Sequence, residues 1–161
     1  MRKNPGARSD DRMLKLIPPL LTPDALHALA SMGHGDELAI VDAHFPAAST
    51  AARGRACVVH LSGADMPTVV RAVLKLMPLD AQGGDAALTM QVIGDAVAVP
   101  PAVAQLQSVL SEAGERPAGA LERFAFYERA ARARAIVVSG EARTYGNVLL
   151  RKGVVVDGAA S

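Results

Sequence analysis

Two histidines and three carboxylates fall within the fourteen residues from Gly33 to Pro46. The segment reads Gly-His-Gly-Asp-Glu, then Leu38-Ala39-Ile40-Val41, then Asp-Ala-His-Phe-Pro. It predicts a loop, a short apolar strand and a second loop, with polar groups at both ends of the strand. His34 stands between two glycines, which let the backbone turn sharply and leave the ring uncovered. Imidazole titrates near neutral pH and can give or take a proton; the competing role is that of a polar loop residue after a helix end. Asp42, following four apolar residues, can accept hydrogen bonds from sugar hydroxyls or simply open a turn. With Asp36 and His44 these residues offer four oxygen and nitrogen ligands. Their spacing matches no closed zinc pattern such as H-E-x-x-H, so no metal is expected.

A second polar group lies near the C-terminus: Arg123, Tyr127, Tyr145 and Asn147. It contains both tyrosines of the chain. Phe124 and Phe126 precede Tyr127 and are read as core, while the Tyr127 ring could carry its hydroxyl to the edge of a site. Asp80 follows the break at Pro78 and is either a loop residue or a carboxylate aimed into a cleft. His27 and His60 read as surface or core-edge residues, and Cys57 as an inert buried thiol within an apolar strand. Neither G-x-G-x-x-G nor G-x-x-x-x-G-K-[ST] occurs, so no phosphate loop is expected.

The elements that must position these residues follow from punctuation and periodicity. Thr22-Pro23-Asp24 starts a helix, with threonine as N-cap, and Gly33 is expected to end it. Strands are expected at Glu37 to Asp42, Ala56 to Leu61, Ala87 to Ile93, Ala135 to Val138 and Val148 to Leu150. Helices are expected from Pro67 to Pro78, from Pro100-Pro101 to about Ala113, and from Phe124 to Ala133. The stretches 14–21 and 121–123 read as extended, and 47–55 as a loop. Alternating helices and continuously apolar strands predict a single α/β domain with a sheet covered on both faces. The domain is expected over 13–153, behind a flexible extension at 1–12 and ahead of a short tail at 154–161.

Composition narrows the function classes. Half of the 161 residues are apolar but only five are aromatic and none is Trp, so the core must be aliphatic. The net charge of +1 gives no reason to expect nucleic acid or an anionic membrane as partner. Few aromatics also argue against base stacking. No apolar run approaches a membrane span, the N-terminus lacks a secretory pattern, and the single cysteine admits no internal disulfide. Cytoplasm is the expected compartment.

Four motifs in order make the chain resemble the L-fucose mutarotase and D-ribose pyranase family. They are Met-Gly-His-Gly-Asp-Glu at Met32, Asp-Ala-His-Phe-Pro at Asp42, Leu-Glu-Arg-Phe-Ala-Phe-Tyr-Glu-Arg-Ala at Leu121, and Tyr-Gly-Asn-Val-Leu-Leu-Arg-Lys-Gly at Tyr145. The resemblance runs from about Met13 to Gly153 and is weak over 47–56 and 81–116. Arg123, where the ribose branch carries His, favours the fucose branch. The resemblance implies a ribose pyranase-like three-layer α/β/α fold and a mutarotase that interconverts the α and β anomers of a pyranose. It implies His34 as catalytic residue, Asp42 and Arg123 as sugar-binding positions, and Tyr145 and Asn147 as sugar contacts. By similarity to animal fucose mutarotases, Asp80 and Tyr127 also serve the site. No cofactor is implied. The implied partners are a monosaccharide and further copies of the chain in a ring-like oligomer, often a decamer. The competing expectations are a D-ribose pyranase, a non-enzymatic monosaccharide-binding module and a metal-dependent hydrolase. One geometric demand follows: at roughly 3.3 Å per residue, a regular strand would put more than about 20 Å between His34 and Asp42. Either the flanking loops fold back or a neighbouring chain completes the site.

Overall fold

The computed structural model describes residues 14–157. Its elements are α1 (Pro23–Ala30), β1 (Glu37–Val41), α2 (Ala47–Ala51), β2 (Cys57–Leu61), α3 (Met66–Leu74), β3 (Ala87–Met90), α4 (Pro101–Glu112), β4 (Gly119–Leu121), α5 (Arg123–Arg132), β5 (Ala135–Ser139) and β6 (Val148–Arg151). The six strands form one sheet in the order β2-β5-β1-β6-β3-β4. β1 lies inside it, parallel to β5 and antiparallel to β6. β6 runs against every other strand. Its C-terminal end therefore meets the N-terminal end of β1, with Glu37 opposite Arg151.

Side-chain alternation along β1 assigns the layers. Leu38 and Ile40 point to a cluster with α1, α3 and α4. Ala39 and Val41 point the other way, to Phe45, Phe126 and Ala130 beneath α2 and α5. This is the three-layer α/β/α arrangement expected from the sequence, with an aliphatic core on the face of α1, α3 and α4 and, against that expectation, the buried aromatic rings gathered on the other. Thr22 caps α1 by accepting from the Ala25 amide (3.3 Å), and Asp65 caps α3 by accepting from Thr68 (3.0 Å).

Several expectations need correction. The 47–55 loop contains α2: small residues of good helix propensity bury Ala47 and Thr50 in the layer shared with α5. Cys57 is exposed, because β2 is an edge strand and Cys57 its first residue. The third strand stops at Met90, where a tight turn pairs Val92 with Asp95. The stretch 14–21 is a series of turns rather than an extended segment, with Leu14 and Leu16 exposed. α1 ends at Ala30 with Ser31 as C-cap, two residues before Gly33. The expected 1–12 extension lies outside the described residues, and of the expected tail Val154 to Val156 are exposed. Among the described residues no helix is long and apolar enough to cross a membrane.

Candidate functional site

The N-terminal end of β1 is ionic. Gly35 adopts φ +84°, a conformation open to glycine, and its amide donates to the Lys152 carbonyl (2.9 Å) beyond β6. This turn leaves the His34 side chain 60% exposed, with Nε2 3.5 Å from Oδ2 of Asp80. Asp80 is held from two sides: Oδ1 accepts from the Gln82 amide (3.0 Å), and Oδ2 accepts from Arg151 Nε (3.0 Å). The Gln82 hydrogen bond first, then Arg151, keeps the Asp80 carboxyl below the usual carboxylate range. Arg151 also donates to the Gly83 carbonyl, and Arg116 reaches the Gly84 carbonyl (2.7 Å), so the 80–84 loop is tied down by two guanidinium groups.

The C-terminal end is buried and bonded mainly through neutral groups. Asp42 and Asn147 are 4% and 3% exposed. The Asp42 amide donates to Asn147 Oδ1 (2.9 Å), and Asp42 Oδ1 accepts from the His44 amide (2.9 Å). Asn147 and Gly146 lie beside this carboxyl and, with His44, favour its charged form. Burial nonetheless outweighs these bonds and pushes the Asp42 carboxyl up. Tyr145, in the left-handed region at φ +61°, accepts through its hydroxyl from the Ile93 amide (3.3 Å). Arg123 opens α5, its guanidinium 4.7 Å from the Phe124 ring centroid, and lines a cleft with residues Gln91 to Ala96. Tyr127, one turn further along α5, packs its ring 5.3 Å from that of Phe45.

The structure thus brings His34 to Asp80 at one end, and gathers Asp42, Arg123, Tyr127, Tyr145 and Asn147 at the other. The four residues of β6 separate the contact of Lys152 with Gly35 from that of Asn147 with Asp42, five residue steps or a span of roughly 17 Å. The loops do not fold back within one chain. His34 and Asp36 likewise lie at the opposite end of β1 from Asp42 and His44, so these four do not converge on one ion. The sequence reading assigned no role to Arg151, Phe45 or Glu141. Arg151 lies in the Tyr145 motif, but its pairing with Asp80 depends on the reversed direction of β6, which no local pattern carries.

Comparison with known proteins finds relatives in both sequence and fold. The model of the RbsD / FucU transport protein family matches residues 15–155. A fucose mutarotase of Bos taurus is 41% identical over 146 residues, which cover 89% of this chain and 95% of that protein. The crystal structure of a fucose mutarotase from Streptococcus pneumoniae, in complex with L-fucose, is 36% identical with a TM-score of 0.80, covering 89% of this chain and 100% of that one. Bacillus subtilis RbsD complexed with D-ribose is 20% identical with a TM-score of 0.66, covering 84% and 95%, a likeness of fold alone. The chain belongs to the RbsD/FucU family.

Proposed function

We propose that this protein is a sugar mutarotase that interconverts the α and β anomers of a pyranose, with L-fucose as the substrate. The observation that carries this reading is the 41% identity, over nearly the whole chain, to a relative named fucose mutarotase. The geometry supports it with an exposed imidazole beside a carboxylate held ionised by the Gln82 amide and by Arg151. Arg123 and the low identity to the ribose-bound relative weigh against D-ribose as the preferred substrate.

Mutarotation opens the ring to the aldehyde, rotates about C1–C2 and recloses. Opening breaks the C1–ring oxygen bond, adds a proton to the ring oxygen and removes one from the anomeric hydroxyl; closure reverses both, with no net change in redox state. Nothing in that balance calls for a cofactor. In the proposed mechanism His34 shuttles one proton, oriented by Asp80, and the Tyr127 hydroxyl serves the other. Asp42, Arg123, Tyr145 and Asn147 hold the sugar hydroxyls. A well-placed acid or base contributes about 10²–10⁴-fold, and fixed orientation adds to it.

The span of roughly 17 Å between the two ends exceeds a single pyranose. It supports a site shared between copies, His34 and Asp80 from one and the sugar-holding residues from its neighbour, in a homo-oligomer of the decameric kind. The single cysteine and near-neutral charge support a cytoplasmic location. Exchange NMR of the anomeric protons tests the reading. Added protein is expected to raise the α–β exchange rate of L-fucose well above that of D-ribose. Saturable L-fucose binding without faster exchange would replace the enzyme by a binding module.

A further inference from the structure

Glu141 is a buried carboxylate that the proposed mechanism leaves unused. It is 2% exposed and lies between β5 and the Tyr145-Gly146-Asn147 turn. Its side chain is fully engaged. Oε1 accepts from the Arg143 amide (3.0 Å) and Nε (2.7 Å), and Oε2 accepts from Arg143 Nη2 (2.8 Å) and the Met66 amide (3.4 Å). Arg143 extends the link to Gln105 of α4 (2.9 Å) and to Asp65 before α3 (3.9 Å). Arg143 first, and then the backbone donors, hold the Glu141 carboxyl below the usual range, so it is ionised at neutral pH.

The main chain of Glu141 faces the other sugar-holding loop. Its carbonyl accepts from the Ala43 amide (2.9 Å), next to Asp42, and its amide donates to Ser139 Oγ (3.2 Å). That hydroxyl in turn donates to the Val41 carbonyl (2.7 Å). The Glu141 side chain also backs the Tyr145 turn directly: a Cβ on Gly146 would stand 2.6 Å from Glu141 Cγ. Asn147 of the same turn accepts from the Asp42 amide (2.9 Å), and Tyr145 beside Gly146 keeps a left-handed backbone that a residue with a Cβ rarely adopts.

We propose that Glu141 is the positioning residue that seats the Tyr145-Gly146-Asn147 turn against Asp42, fixing the sugar-holding half of the site through its contact with Gly146 and its bonds to Arg143 and Ala43. The proposal rests on the mutarotase reading for its kinetic consequence but not for its structural one.

The test is Glu141→Gln, which keeps the shape and removes the charge, with Gly146→Ala as the second variant, which displaces the turn while keeping the ion pair. Two readouts are taken on folded protein. The first is KM and kcat for L-fucose anomer exchange. The second is the ring NMR of the two tyrosines, assigned with Tyr127→Phe. Both variants are expected to raise KM about tenfold with kcat within about threefold, because the lost interactions serve binding rather than proton transfer. They are expected to shift the Tyr145 signals and leave those of Tyr127 in place. Parental KM and tyrosine spectra would overturn the proposal. So would a loss of kcat and KM performance that only tracks the unfolded fraction. If Glu141→Gln does not fold, the same readouts on Gly146→Ala decide. A parent protein without exchange activity would remove the mutarotase reading, while the tyrosine spectra still decide the positioning role.

Discussion

The two ends of β1 solve opposite problems. At the N-terminal end a largely exposed His34 faces Asp80, which Arg151 pairs with directly. At the C-terminal end Asp42 and Asn147 are almost fully buried and bond chiefly to each other and to backbone amides. The two aspartates diverge accordingly, Asp80 held below and Asp42 pushed above the usual carboxylate range. One end keeps an imidazole in contact with solvent and a fixed negative charge beside it. The other offers rigid, largely uncharged hydrogen-bonding groups. The difference teaches that His34, to which the proposed mechanism gives one proton, is separated by the length of a strand from the groups it assigns to the second proton and to the sugar hydroxyls, so on that mechanism neither end forms a site alone.

Removing the proton carrier should produce the largest effect. His34→Ala is expected to lower the L-fucose exchange rate by about 10²–10⁴-fold with an unchanged melting temperature, since the side chain is exposed and buries little. Exchange NMR and a thermal melt check both parts; near-parental exchange in folded protein would break the assignment of roles to the two ends. At the other end the effect falls on binding and on the fold. Asn147→Ala leaves the buried Asp42 amide without a partner, which should cost about 1–3 kcal/mol of stability in a denaturant titration and raise KM more than it lowers kcat.

Acid should separate the two aspartates more gently. Asp80 and Glu141 have depressed folded-state values, so their contribution is fully present above the unfolded carboxyl range and is lost as pH falls through the lower folded values. Asp42 has a raised folded value, so its contribution is present at low pH and is lost as pH rises through that value. The melting temperature is therefore expected to fall below about pH 4, and Asp42→Asn should leave that fall in place while removing the gain that Asp42 protonation brings at higher pH, as pH falls from its raised value toward the unfolded carboxyl range.

How much of this was legible in the sequence depends on how local each feature is. β1 and its polar ends stand out because a continuous apolar run is flanked by glycine, histidine and aspartate. Thr22 and Pro23 announce α1 through their own chemistry. Arg123 and Tyr127 fall on one helix, and Tyr145 and Asn147 on one turn, so each pair is near in space for local reasons. The ion pair of Arg151 with Asp80 was not legible, because it needs β6 to run against β1 with Glu37 opposite Arg151. No local pattern singles out Glu141, since its side chain is held by Arg143 and Met66 and its carbonyl by Ala43. Cys57 misled in the reverse sense: an apolar strand was read as interior, but its place at the sheet edge exposes the thiol.

Co-expression of two damaged copies tests the shared site most directly. His34→Ala disables one end and Arg123→Ala the other, and each alone should be nearly inactive. If every site takes one end from each of two copies, random mixing leaves about a quarter of the sites with both ends intact. The expected result is recovery of exchange activity toward that fraction, whereas co-expressing His34→Ala with Asp80→Asn, both at the same end, restores nothing. Activity of the His34→Ala and Arg123→Ala mixture no greater than the sum of the two variants would contradict the account.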